Sequence, residues 1–189
     1  MLKLIITGCL SWVVVGVAVW MLKPAPPAAP PAAVRLAVTL NAGEQVPAGY
    51  PMALSSDGSQ LAYIASNRMY LRSMNSLVSK PLAGTEGAQA PFFSPDGRWI
   101  GFFAQNKLKK VSVSGGVPQI LADASQGEGG SWGPDETIYY AAAPSSPIWK
   151  IPSGGGSPER VTTLDRSKGE VSHRWPQLLP GGRALLFTG

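Results

Sequence analysis

Thiols and imidazoles are almost missing from this chain, whose 189 residues hold one cysteine and one histidine. Cys9 lies inside an apolar N-terminal run, so the remainder carries no disulfide and no thiolate metal site. A metal on His173 would need carboxylates alone to complete its shell, and His173 is therefore read as a surface or loop histidine. Charge is scarce as well. Charged residues make up 14% of the chain against 44% hydrophobic, too apolar for a disordered segment and in keeping with a globular domain. Setting aside Lys3 and Lys23, which flank the apolar run, leaves 14 basic against 11 acidic residues, a net +3. That balance is no nucleic-acid signature. The densest basic cluster, Lys107, Lys109 and Lys110, is read as a solvated strand face rather than a phosphate or lipid site.

Room for helices is also lacking. The 22 glycines and 18 prolines recur every few residues outside one stretch, which favours short strands and turns. The exception is residues 4–22, 19 residues without a charge between Lys3 and Lys23. As a helix they would span about 28 Å, close to a bilayer core, and Trp20 beside Lys23 suits an interfacial belt. A transmembrane helix over residues 1–23 is expected. A cleaved signal peptide is the competing reading, opposed by the length of the run and by its bulky end, Trp20-Met21-Leu22. Residues 24–33, PAPPAAPPAA, form a proline and alanine stalk that would extend as polyproline II.

What is present in quantity is repetition, over residues 34–189. The copies read Leu54-Ser55-Ser56-Asp57-Gly58, Phe93-Ser94-Pro95-Asp96-Gly97, Trp132-Gly133-Pro134-Asp135 and Leu179-Pro180-Gly181-Gly182. Asp57 to Asp96 and Asp96 to Asp135 are each 39 residues apart, and Asp135 to Gly181 is 46. An apolar strand follows each copy, beginning at Leu61, Ile100, Ile138 and Leu185, and a second strand follows at Met69, Leu108 and Ile148. Gly115-Gly116-Val117-Pro118 then matches Gly155-Gly156-Ser157-Pro158 as the opening of an outer strand, where a proline is tolerated. Ser94-Pro95-Asp96-Gly97 is a hairpin turn, with proline presetting φ, aspartate able to bond backbone amides and glycine free to take positive φ. The run from Arg98 to Phe103 is nearly continuously apolar, which predicts a strand buried on both faces between neighbouring blades.

These residues resemble the WD-repeat-like repeats of TolB-type β-propellers, whose signature is an aromatic residue, Ser-Pro-Asp-Gly and a basic residue. Phe93-Ser94-Pro95-Asp96-Gly97-Arg98 carries it in full, whereas Ser56, Gly133, Glu136 and Gly181 depart from it. The resemblance implies an all-β fold of four-stranded blades, three and a half of them in an incomplete ring, preceded by the transmembrane helix. The helix, stalk and repeats together resemble the C-terminal half of bacterial transmembrane serine/threonine protein kinases, in which the propeller is an extracytoplasmic sensing module. The Gly-rich loop, His-Arg-Asp and Asp-Phe-Gly motifs of the kinase domain are not in this sequence. The expectation is thus a non-catalytic, single-pass, extracytoplasmic propeller that binds an unidentified protein or small-molecule ligand. Two alternatives stand beside it: the gating propeller of a prolyl-oligopeptidase-like hydrolase, and a periplasmic TolB-like scaffold. Residues 34–40, VRLAVTL, read as one more strand, and at least two further copies are expected beyond Gly189, with a 34–189 fragment that self-associates.

No residue is singled out as catalytic, metal-ligating or cofactor-binding. Gly129-Gly130-Ser131-Trp132-Gly133 matches a nucleophile elbow, with Asp165 and His173 following in hydrolase order. Pro134 and Asp135 replace the helix that an elbow requires, and Ser131→Ala is expected to remove only a hydroxyl. Asp57, Asp96 and Asp135 are read as turn residues far apart on different blades, and Trp99, Trp132, Trp149 and Trp175 as blade packing. Gly154-Gly155-Gly156 lacks the helix and lysine of a phosphate loop.

Overall fold

The computed structural model of the chain describes residues 45–47, 49 and 51–189. The expected transmembrane helix, the stalk and the strand at residues 34–40 lie outside the described residues. No helix among the described residues is long and apolar enough to cross a membrane.

Strands dominate, as the punctuated sequence requires. The first blade is β1 (Met52–Leu54), β2 (Gln60–Ala65), β3 (Arg68–Ser73) and β4 (Ser79–Pro81). The second is β5 (Gln89–Phe93), β6 (Trp99–Ala104), β7 (Lys107–Ser112) and β8 (Gln119–Asp123). The third is β9 (Gly130–Trp132), β10 (Thr137–Ala141), β11 (Ile148–Pro152) and β12 (Glu159–Arg160). Each is an antiparallel sheet in sequence order, and a two-stranded sheet of β13 (Arg174–Leu178) and β14 (Leu185–Thr188) follows. The expected three blades and opening hairpin of a fourth are therefore present, and the outer strands β8 and β12 begin directly after Pro118 and Pro158.

Successive blades pack face to face, which explains the apolar middle strands. Ile100, Phe102 and Ala104 of β6 join Ala62, Ile64 and Met69 of the first blade in one core cluster. Phe103, on the opposite face of β6, joins Trp132, Ile138, Tyr140 and Ile151 of the third blade in another. Alternate residues of a strand point to opposite faces, so a strand clamped between two blades must be apolar at every position. Each fully buried large side chain contributes about 1.5–3 kcal/mol, and β6 supplies three such residues, Ile100, Phe102 and Phe103.

The turn units behave alike in the first two blades. Ser55 Oγ donates to Asp57 at 2.6 Å and accepts from Gln60 N at 2.9 Å. Ser94 Oγ donates to Asp96 at 2.6 Å and accepts from Trp99 N at 2.9 Å. Gly58 and Gly97 sit at φ 70° and 69°, the left-handed region that the signature glycine serves. At the opposite end of these blades, two-residue hairpins place Ser66-Asn67 and Gln105-Asn106 at positive φ, between 47° and 63°.

Two expectations need correction here. Lys109 and Lys110 are not a solvated face: they are only 8% and 9% exposed. Both amino groups are engaged within their own blade: Lys109 Nζ donates to Gln105 Oε1 at 2.6 Å, and Lys110 Nζ lies 4.5 Å from the Trp99 ring centre. Lys107 alone keeps the expected character, half-exposed and paired with Asp123. His173 is in a loop but is only 4% exposed, because the segment between β12 and β13 folds back over the third blade. His173 N donates to Ser146 O at 2.9 Å, and its ring lies 4.5 Å from that of Phe187.

Candidate binding surfaces

The innermost strands of successive blades, β1, β5, β9 and β13, lie side by side, so the blades leave openings at the two ends of these strands. At the turn end, the residues that precede the four turns, Leu54, Phe93, Trp132 and Leu178, line a cavity of about 570 Å³. Its rim is the turns themselves. Ser56 Oγ donates to Pro95 O at 2.8 Å and Gln60 Nε2 donates to Gly97 O at 3.2 Å. Neighbouring turns are thus in contact instead of far apart, although their carboxylates are not pooled. Each aspartate is held by its own turn, and among the described residues no three His, Cys, Asp or Glu side chains are grouped for a metal. The Ser55 hydroxyl first, then the Ser59 amide and hydroxyl, lower the Asp57 carboxyl to about 2. Ser94 and the Arg98 amide lower Asp96 in the same way.

The opposite end, formed by loops, carries three adjoining cavities of about 330, 280 and 410 Å³. Gln89 lines all three. The innermost strands reach this end through left-handed residues: Ala90, Gly129 and Trp175 have φ 44°, 92° and 54°. Each lies three residues before Phe93, Trp132 or Leu178, and the ladders of β5 and β13 slip register there. Such bulges bend a strand and re-aim its side chains. Gly129 is required at its position because the Trp175 ring covers it: a Cβ there would sit 2.5 Å from Trp175 Cε3.

The hydrolase arrangement does not assemble. Ser131 Oγ accepts the Leu178 N–H at 3.0 Å, tying β9 to β13. Asp165 accepts from Ser167 N at 3.1 Å at the start of a short 3-10 turn and pairs with Lys168. His173 Nδ1 is 2.8 Å from Thr162 Oγ1, and Nε2 is 3.3 Å from Glu170. Ser131, Asp165 and His173 share no hydrogen bond. Gly155 and Gly156 bend the link from β11 into β12, with no helix after them. Of the tryptophans, Trp132 is packed against Phe92, Trp99 lies under Lys110, and Trp149 lies 5.5 Å from the Arg160 guanidinium. Trp175 instead lines one of the loop-end cavities. Sequence reasoning missed that end because it falls between the repeated positions. The signal available was Glu128, an acidic residue enclosed by Gly127, Gly129 and Gly130.

Radially arranged four-stranded antiparallel sheets, joined in sequence order and packed face to face, define the blades of a β-propeller. Comparison with solved structures agrees. The chain is similar to a structure described as TolB from Agrobacterium tumefaciens, with a TM-score of 0.61 and 20% identity, covering 73% of this chain and 52% of that one. It is similar to TolB from Acinetobacter baumannii, with a TM-score of 0.62 and 19% identity over 74% of this chain and 37% of that one. A third similar structure is the β-propeller domain of Cps50 (Swd1) from Myceliophteria thermophila, at a TM-score of 0.58 and 13% identity, over 75% and 50% of the two chains. At these identities the likeness is one of fold. The chain spans about half or less of the length of these structures. No protein-family model and no curated protein matches the sequence.

Proposed function

We propose that this chain is a recognition module: a non-catalytic propeller that binds a protein or small-molecule ligand at its openings. The supporting observation is the pair of open ends on a scaffold in which Ser131, Asp165 and His173 are dispersed into separate structural bonds. In this reading, residues 4–22 anchor the propeller outside the cytoplasmic membrane, as the sensor half of a serine/threonine protein kinase. The similarity to two TolB structures favours a second reading, a periplasmic scaffold with no kinase attached. The test joins coding sequence to biochemistry. The sensor reading expects an upstream kinase domain whose autophosphorylation changes when residues 45–189 are deleted, and a chain that resists alkaline extraction from membranes. A downstream hydrolase with its own triad, or release of a soluble product that lacks the N-terminal run, would overturn it.

A further inference from the structure

The loop end has an electrostatic peculiarity. Among the described residues that line the three adjoining cavities, Glu128 is the single charged one, in a chain of net charge +5. Its backbone is held on both sides: Glu128 N donates to Ala141 O at 3.0 Å, and Glu128 O accepts from Trp175 N at 2.8 Å. Its side chain is half-buried and makes no ion pair or hydrogen bond with another described residue. By contrast, Glu86 and Glu159 are ion-paired, Glu170 accepts from Asp165 N at 2.6 Å, and Glu136 accepts from Ser153 Oγ at 2.6 Å. The remaining walls of the 330 Å³ cavity are mostly apolar, with Ile64, Ala88, Ala90, Pro51 and Trp175 among them. Gln89 adds an amide at the junction of the three cavities.

A carboxylate on an apolar wall that has no cation of its own among the described residues favours a ligand bringing one. An opposite charge at close range, partly shielded from water, is worth more than on an open surface. Small-molecule sites have this general form, an apolar cleft with a few placed polar groups. We infer that the cavity between Glu128 and Ile64 binds a monocationic amine, an alkylammonium with an apolar body. The cation meets the Glu128 carboxylate, and the apolar body lies along Ile64, Ala88 and Ala90. This ligand class rests on the reading of the domain as a recognition module.

The test titrates the full 189-residue chain with 2-phenylethylammonium, following backbone amide shifts by NMR. Shifts are expected at Ile64, Gln89, Ala90 and Glu128. Glu128→Gln keeps the shape of the side chain and should weaken binding about tenfold, or about 1.4 kcal/mol. The uncharged analogue 2-phenylethanol should bind as weakly to the wild-type chain as the amine does to the variant. Equal binding of amine and alcohol, binding indifferent to Glu128→Gln, or shifts confined to the turn-end cavity around Phe93 and Trp132 would each overturn the inference. The same holds for an absence of any shift. None of these results touches the recognition reading itself, which fails only on the upstream, downstream and membrane tests given above.

Discussion

The second and third blades solve one packing problem in opposite ways. At the same ladder position, Phe92 of β5 faces Gly101 of β6, whereas Ser131 of β9 faces Tyr139 of β10. Large opposes small in both, with the order inverted, and the first blade opposes Ala53 to Ala62. The Phe92 ring fills the space that Gly101 leaves and also reaches the next blade, where it lies over Gly130. What the second and third blades share is one large side chain filling the space that a small partner leaves between innermost and second strands; which strand supplies it is free to change, and the first blade, with alanine on both sides, does without it.

The largest test of that view is Gly101→Ala. A Cβ there would lie 2.3 Å from Phe92 Cε2 and Cζ, and the ring cannot retreat because Gly130 is behind it. A loss of about 3 kcal/mol is expected in urea unfolding of the full chain. In a Phe92→Ala background the same substitution should cost under about 1 kcal/mol, since the clash is gone. Equal costs in the two backgrounds would break the volume argument.

The next effect distinguishes the blades by hydrogen bonding. Ser131 is small because Tyr139 faces it, and its hydroxyl holds the Leu178 N–H. The expectation that Ser131→Ala removes only a hydroxyl is thereby corrected: it leaves a backbone donor at the junction of two blades without its acceptor. A loss of about 2 kcal/mol follows, read as a lower denaturation midpoint. No loss would mean that the β9 to β13 link carries little of the packing between the third blade and the β13–β14 hairpin.

The blade framework was legible because its determinants recur. The period located the hairpins, and the unbroken apolar run at Arg98–Phe103 located a strand clamped on both faces. The loop end was not legible, since its residues lie in connections outside the period and its left-handed positions include Ala90 and Trp175, which carry no glycine signal. The burial of Lys109 and His173 was hidden for a related reason. Each is covered by contacts from another segment, and a polar residue in a strand or loop gives no local sign of its cover. The third turn was read as a variant of the second, and the structure shows what the variation does. It is one residue shorter, a Cβ at Gly133 would lie 2.5 Å from Asp135 Oδ1, and Glu136 takes the left-handed place at φ 60°.

Acid separates the turns further. Asp57 and Asp96 are bound by a serine hydroxyl that the third turn lacks, and the folded chain holds both below the ordinary value of 3.8. A carboxyl with a depressed folded pKa stabilises the fold above its unfolded value and loses that contribution as pH falls through the folded one. Stability should therefore decline between about pH 4 and, for Asp57, about pH 2. Asp57→Asn should flatten that decline while lowering stability at neutral pH. An unchanged acid profile in thermal unfolding would show that Ser55 does not bind the carboxylate in solution. Both residues lie at the surface, so the effect is modest and should shrink in salt only where Arg98 contributes at Asp96.

The smallest effect concerns a position occupied by Tyr63, Phe102 and Tyr140 in the three blades. All three are almost wholly buried, and the second blade shows that a bare ring satisfies the packing there. The Tyr63 hydroxyl is buried without a hydrogen-bond partner among the described residues, so it keeps the cost of leaving water with no bond in return. The ring itself is well placed, stacked on Tyr70 with centres 5.4 Å apart. Tyr63→Phe preserves that stacking and removes the orphan group. Stability should stay level or rise by up to about 1 kcal/mol, measured by chemical unfolding at pH 7. Tyr140 adds a check on the same position at the other end of the pH scale: burial, and then Asp123, push its phenol up to about 12. The unfolded chain ionises first, and stability should fall as pH rises from about 10 towards 12. In Tyr140→Phe that alkaline decline should be weaker. If Tyr63→Phe instead lost more than about 1 kcal/mol, its hydroxyl would have a bonding partner in solution, and the first blade would differ from the second by a polar contact as well as by volume.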